Sequence, residues 1–225
     1  MKIVIKYLDN DIEIKENEIY ALEVENKNYF YRIVKDLHNI YDGNISDDIY
    51  LLDNSNNEIN CFNKFKIFID FFDFNLNSKK ISNNITKYVD ENISVEGKNS
   101  ILNLYNKIIK LYKRELNNIE IPLIIEPETD VDNITKKVKI DIEIKRNLID
   151  NLLLLIDIEN IFKTKNLLIF INLKQYLTKN EMEELYKYSI YNGIPLLLID
   201  SQCYGGTLNN EKKLIIDENL DEFMI

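Results

Sequence analysis

KNLLIFINLKQYLTKNEMEELYKYSIYNGIPLLLIDS, Lys165 to Ser201, decides the fold. Leu167–Leu173 is a continuous apolar run, the pattern of a strand covered on both faces. Thr178 with Glu181 three residues on forms a capping box, in which hydroxyl and carboxylate each satisfy a free N–H of the first helical turn. Glu183 and Glu184 place negative charge near the positive end of the helix dipole. Gly193 supplies a left-handed stop and Pro195 forbids continuation, so Ile194–Ile199 reads as a second buried strand. Strand, helix and strand at this spacing predict a parallel pair with a right-handed helical crossover. The chain is therefore an α/β protein with a doubly covered, mostly parallel sheet.

Outward from that unit, strands are predicted at Lys2–Tyr7, Ile12–Ile14, Glu18–Val24, Ile49–Leu52, Lys66–Phe68 and Leu214–Asp217. Asn28–Ile40 carries apolar residues at Phe30, Ile33, Val34 and Leu37, one face of a helix. Between these ends the strand signal fades. Ile81, Ile85, Tyr88 and Val89 mark one amphipathic helix, and Ile101, Leu104, Tyr105, Ile108 and Tyr112 a second. Leu102, Ile109 and Leu116 widen the apolar face of that second helix beyond what a small helical domain covers alone. Leu148–Phe162 is almost wholly apolar and reads as a central buried helix. The economical arrangement is one α/β head from residues 1–75 and 165–225, with a helical leg, residues 76–164, inserted between them.

Composition excludes more than it assigns. Asp150, Asn151, Asp157, Glu159 and Asn160 break the longest apolar stretch, so no segment reads as a membrane span. Met1–Asp9 alternates like a strand rather than a signal peptide. Cys61 and Cys203 are the only cysteines, far apart and outside any CxxC pattern, which fits free thiols in a reducing cytoplasm. The formal net charge of −10 argues against simple nucleic-acid binding, yet 28 basic residues are present. Some bunch: Lys136, Lys137, Lys139, Lys145 and Arg146 in one place, Lys107, Lys110, Lys113 and Arg114 in another. An acidic chain can still hold nucleic acid if such residues line one concave surface.

Catalytic signatures are scarce. A phosphate cradle would sit between strand Glu18–Val24 and the helix after it, where the residues are Glu25-Asn26-Lys27-Asn28. The five glycines form neither a phosphate loop nor a GxGxxG turn, so the backbone cannot approach a triphosphate there. Asp200 ends an apolar strand as a magnesium-holding aspartate would, but without the glycine loop it reads as a polar strand end. His38, the single histidine, falls at a helix C-terminus, where an imidazole meets free carbonyls. Glu126, Glu128, Asp130 and Asp132 alternate around Pro127 in the loop Ile121–Asp132. Such an oxygen-rich loop suits calcium, although it lacks the glycine turn of an EF-hand, and a solvated linker is the plainer reading.

The run LLIFINLKQYLTKNEMEELYKYSIYNGIPLLLIDS closely resembles the C-terminal region of the accessory adaptation proteins of type II-A CRISPR systems. The apolar strand ending in Asn172-Leu173, Tyr176-Leu177-Thr178 opening a helix, and Leu214-Ile215-Ile216-Asp217-Glu218 in an acidic tail carry the likeness. The resemblance implies a degenerate nucleoside-triphosphatase-like head without a phosphate loop and an inserted helical leg. It further implies a non-enzymatic homotetrameric ring that binds calcium and threads onto the ends of double-stranded DNA. Spacer acquisition alongside the CRISPR integrase subunits and the RNA-guided nuclease is the implied role. Local charge nominates Lys27, Lys35, Lys136, Lys137 and Lys139 for the DNA channel, and Glu126, Glu128 and Asp130 for calcium. Two alternatives stay open: a degenerate ATPase-like enzyme or nucleotide-binding regulatory subunit, and an oligomeric scaffold with no DNA role.

Overall fold

Leu167–Ile171 and Leu196–Asp200 are parallel strands in register from Leu168↔Leu196 to Ile171↔Ile199, and helix Lys179–Asn192 joins them. The capping box is complete. The backbone N–H of Thr178 donates to Glu181 at 2.7 Å and the Glu181 N–H returns to the Thr178 hydroxyl at 3.3 Å. Gly193 ends the helix at φ 63°, a conformation that a Cβ would strain. The first strand is shorter than its apolar run, because Asn172 turns left-handed and Leu173–Gln175 coils into a 3-10 turn.

In this computed structural model all residues are described except 16–17, 54, 60–63, 73, 117, 119–122, 137 and 165, and the side chain of Lys80. The strands in chain order are β1 (Lys2–Ile5), β2 (Ile12–Glu13), β3 (Ile19–Val24), β4 (Ile49–Leu52), β5 (Phe65–Phe68), β6 (Leu167–Ile171), β7 (Leu196–Asp200), β8 (Glu211–Ile216) and β9 (Glu222–Met224). The helices are α1 (Lys27–Tyr41), α2 (Lys79–Asn92), α3 (Val95–Leu116), α4 (Val131–Thr135), α5 (Leu148–Ile161) and α6 (Lys179–Asn192). Strand β9, which pairs antiparallel with β8, carries no clear sequence signal.

A six-stranded sheet runs in the order β5-β6-β7-β3-β8-β9, parallel except at its β9 edge. A second, antiparallel sheet has the order β2-β1-β4. Alternation along the strands gives the large sheet two buried faces. Tyr20, Leu22, Val24, Ile169, Leu197, Ile199 and Leu214 form one core with Tyr29, Ile33 and Leu37 of α1 and the small sheet. The buried stripe of α1 thus centres on Ile33 and Leu37 as its sequence requires, with Tyr29 rather than Phe30 innermost. Ile19, Ala21, Leu168, Phe170, Leu196 and Leu198 fill the opposite face, also fully buried. On that side the Tyr186 hydroxyl of α6 reaches Glu211 of β8.

The chain forms two compact units, Met1–Phe74 with Lys145–Ile225, and Asn75–Ile144. The expected insert of residues 76–164 is thus too long by one helix. Buried Leu152, Leu155 and Ile156 give α5 an apolar body, and its buried Glu159 is ion-paired to Lys66 of β5. On its α6 side, Asp157 accepts from the Tyr188 hydroxyl at 2.6 Å. Within the second unit, Val131 of α4 is buried and the Thr135 hydroxyl donates to buried Asp90 of α2 at 2.7 Å. No residue of the long helix α3 is buried; Leu104, Ile108, Leu111 and Tyr112 stand exposed.

Candidate functional site

In an open parallel sheet, ligands bind beyond the carboxyl ends of the strands. At the end of β3, Asn26 is the N-cap of α1 and accepts from the Tyr29 N–H at 3.0 Å. Its amide also donates to the Glu218 carbonyl, and the Glu25 N–H goes to the Ile216 carbonyl. The chain's own atoms thus engage groups that a phosphate would need. Glu25-Asn26-Lys27 is a closed capping turn, as its lack of glycine requires.

On the sheet face under α6, the strands carry buried charge that pattern reading does not reveal. Glu23, Asp200 and Lys213 are all at most 1% exposed, and the Glu211 side chain is fully covered. Lys174, from the 3-10 turn after β6, lies 2.9 Å from Glu23 and 2.6 Å from Glu211. Lys213 Nζ lies 2.9 Å from Glu23 and donates to the Tyr204 and Gly206 carbonyls at 2.7 and 2.5 Å. The Tyr204 N–H donates to Glu23 at 3.0 Å, so the loop after β7 is tied to the sheet through this network. Burial opposes the charge of Lys174, but Glu211 and Glu23 outweigh it and raise its pKa. Burial first, then Glu211, raises the Tyr186 phenol.

Asp200 is the exception. It ends a buried strand, as read from the sequence, and is itself a wholly buried carboxylate whose oxygens have no hydrogen-bond partner of good geometry. Burial pushes its pKa up to about 7; the Lys174 ammonium and backbone N–H pull the other way without prevailing, and Glu23 adds to the rise. A cavity of 270 Å³ beside the network is lined by Lys174, Lys179, Tyr204, Gly205, Glu211 and Lys213, among others. Cys203 lies nearby in the chain; burial and a hydrogen bond with Glu25 push its thiol up to about 12, so it is no thiolate nucleophile at neutral pH. Cys61 falls outside the described residues. His38 is half-exposed in the last turn of α1, its Nδ1 3.2 Å from Asp42.

The nominated lysines divide between the two units. Lys27 and Lys35 are exposed on α1, Lys35 with its Nζ 5.9 Å from the centroid of the Tyr31 ring. In the second unit Lys136 and Lys139 come together around a polar groove of 640 Å³. Lys79 of α2, not singled out by local charge, lines the same groove with Ser82, Asn83 and Thr86. Lys139 pairs with Asp141 at 2.6 Å and Lys136 donates to Asn133 at 2.7 Å. Lys137 falls outside the described residues.

Two of the carboxylates nominated for calcium, Glu128 and Asp130, accept local backbone bonds. Glu128 accepts the Thr129 and Asp130 N–H groups at 2.9 and 3.0 Å, and the latter bond foremost holds its pKa below the usual carboxylate range. Asp130 caps α4 by accepting from the Asp132 N–H at 3.1 Å, and Glu126 is exposed. Among the described residues no three Asp, Glu, His or Cys side chains assemble as a metal site. No described helix is long and apolar enough to cross a membrane.

Residues 40–220 match the family model described as CRISPR-associated protein (Cas_Csn2). The chain belongs to this family. The match spans β4 to β8, and with them the second unit and most of the buried charge network. The crystal structure of Stu0660 of Streptococcus thermophilus shares the fold, with a TM-score of 0.64 at 14% identity over 96% of this chain and 74% of that one. None of the curated proteins compared with the chain matches it. Membership in the Cas_Csn2 family makes this a CRISPR-associated protein of the defence machinery.

Proposed function

We propose that this CRISPR-associated chain is a non-enzymatic accessory protein that, as a homotetrameric ring, takes the ends of double-stranded DNA irrespective of sequence. In this reading it serves spacer acquisition alongside the integrase subunits and the RNA-guided nuclease, and works in the cytoplasm. One observation carries the non-enzymatic part: in a Cas_Csn2-family chain, Asn26 closes the helix terminus where a nucleotide phosphate would bind. That closure disfavours the ATPase-like alternative. The uncovered apolar face of α3 supports self-assembly, since exposed apolar surface of this kind marks interfaces. The groove with Lys79, Lys136 and Lys139 offers cations for phosphate contact, which positions a duplex without reading its bases. No step of the reading passes through calcium.

Size-exclusion chromatography with light scattering, alone and with linear or covalently closed duplex, tests it. A tetramer that retains linear and not closed DNA is expected. The triple change Lys136→Glu, Lys137→Glu and Lys139→Glu should weaken binding to all sequences alike while leaving the tetramer intact. A monomer at micromolar concentration, or equal affinity for linear and closed DNA, would sink the proposal.

A further inference from the structure

Tyr7 is held in a backbone conformation that a tyrosine disfavours. Its φ is 79°, in the left-handed region, where a Cβ crowds the following carbonyl. The turn is built to impose this. The Lys6 N–H donates to the Asp48 carbonyl at 2.7 Å, the Leu8 N–H returns to the Ile5 carbonyl at 3.0 Å, and the Tyr29 hydroxyl holds the Lys6 carbonyl at 3.2 Å. Glycine or asparagine would meet the same backbone demand with less strain. Yet the side chain placed there gains little from burial: Tyr7 is 67% exposed.

What surrounds the ring is cationic. Lys6 Nζ lies 5.5 Å from its centroid and Arg32 Cζ 5.9 Å, both within cation–π range. Next to Arg32 on α1, Tyr31 is 63% exposed, with Lys35 Nζ 5.9 Å from its ring. Lys27, Tyr31 and Lys35 follow one another at successive turns of one helix face. Asp48 pairs with Arg32 at 2.6 Å and approaches Lys6 at 3.9 Å, so the cations are partly neutralised. Two exposed rings among tethered cations match a surface on which bases stack while the cations meet the strand's phosphates.

We propose that Tyr7 and Tyr31, with Lys6, Arg32 and Lys35, form a platform on which unpaired bases of a nucleic-acid strand stack. This goes beyond duplex binding and stands on residues apart from the Lys79–Lys136–Lys139 groove. Arg32, tethered to Asp48 at 2.6 Å, lies over the Tyr7 ring with its Cζ 5.9 Å from the centroid. Unpaired bases arise wherever a duplex end frays or carries an overhang, so the platform would favour such ends over blunt ones.

Fluorescence anisotropy with a labelled single strand, a blunt duplex and a duplex carrying a single-stranded overhang tests this, with deoxy and ribo strands distinguishing the source. Tyr7→Gly relieves the backbone strain, so it removes the ring without threatening the fold; Tyr31→Ala removes the other ring from an exposed position. Each should weaken binding of the single strand and the overhang between about fivefold and about a hundredfold. Blunt-duplex affinity should not move. Tyr7→Phe and Tyr31→Phe should retain binding, because stacking needs the ring and not the hydroxyl. The salt dependence of single-strand binding should be shallower than that of the duplex. The platform is overturned if the native protein binds no single strand, or if the ring-less variants bind it as well as the native protein. Losses in the Phe variants equal to those of the ring-less ones would overturn it too. A native protein that binds the single strand but no duplex would overturn the ring proposal and leave the platform standing.

Discussion

Replacing Asp200 by Asn isolates the unusual member of the buried network. The carboxylate is fully buried and lacks good hydrogen-bond partners, and burial raises its pKa from 3.8 to about 7. In that interval the folded state holds a proton that the unfolded state releases. The contribution to stability is therefore complete below the unfolded value and is lost as pH rises through the folded one. Integrated between those two values, the native protein gives up about 2 kcal/mol by pH 5.5 and about 4 kcal/mol by pH 8.5, as upper figures. An asparagine of the same shape does not titrate. Whatever fixed offset the amide introduces, its stability relative to the native protein should improve by about 2 kcal/mol between those pH values. Urea denaturation of both proteins at each pH, followed by circular dichroism, measures the difference, and titrations of groups remote from Asp200 cancel in the comparison. A stability difference that is flat, or that shrinks as pH rises, would show that attraction to Lys174 outweighs burial and that Asp200 is ionised in the native protein.

Lys174→Met leaves Glu23 and Glu211 buried with a partner removed, and should cost about 3–5 kcal/mol in the same denaturation assay; a loss under about 1 kcal/mol would mean that water reaches the network. Glu211→Gln takes one negative charge from the cavity lined by Lys174, Lys179 and Lys213. Its melting temperature should rise with added inorganic phosphate while that of the native protein stays fixed, and equal responses would show that the carboxylates do not neutralise these lysines. Gly193→Ala forces a Cβ into the left-handed stop of α6 at φ 63° and should destabilise by about 1 kcal/mol, whereas a neutral result would place the strain elsewhere.

The crossover unit was legible because each of its signals is local. Thr178 and Glu181 are one turn apart, Gly193 and Pro195 follow directly, and two apolar runs flank them. The boundary of the helical insert was not. Whether α5 joins the sheet or the inserted helices depends on contacts distant in sequence, such as Glu159 with Lys66, 93 positions apart, and Asp157 with Tyr188. The buried network was hidden for the same reason, since Glu23, Lys174, Asp200 and Lys213 come from separate elements that only strand order brings together. A hint was present: Glu23 within IYALEV and Lys213 within EKKLII are charges on strands whose patterns demand double cover. Such charges need partners inside the protein. Lys79 escaped notice as a groove residue because it is distant in sequence from Lys136 and Lys139, and local charge density cannot join them.

The absence of glycine at Glu25–Asn28 is one reason a nucleotide should not bind, and the network beneath α6 is a second, independent one. Any anion entering the adjoining cavity would approach Lys174 and Lys213, the buried cations that line it. Both are already committed, Lys174 to Glu23 and Glu211, Lys213 to Glu23 and the loop carbonyls. Drawing Lys174 away would cost the fully covered Glu211 side chain its 2.6 Å partner, at about 3–5 kcal/mol. That is a loss of about two to nearly four orders of magnitude in affinity before a single contact with the ligand is counted. Restoring glycines to the β3–α1 turn would therefore not by itself restore a phosphate site. The carboxyl edge of this sheet is occupied by side chains of the chain itself, and the same ion pairs that exclude an anion fix the loop after β7 in place.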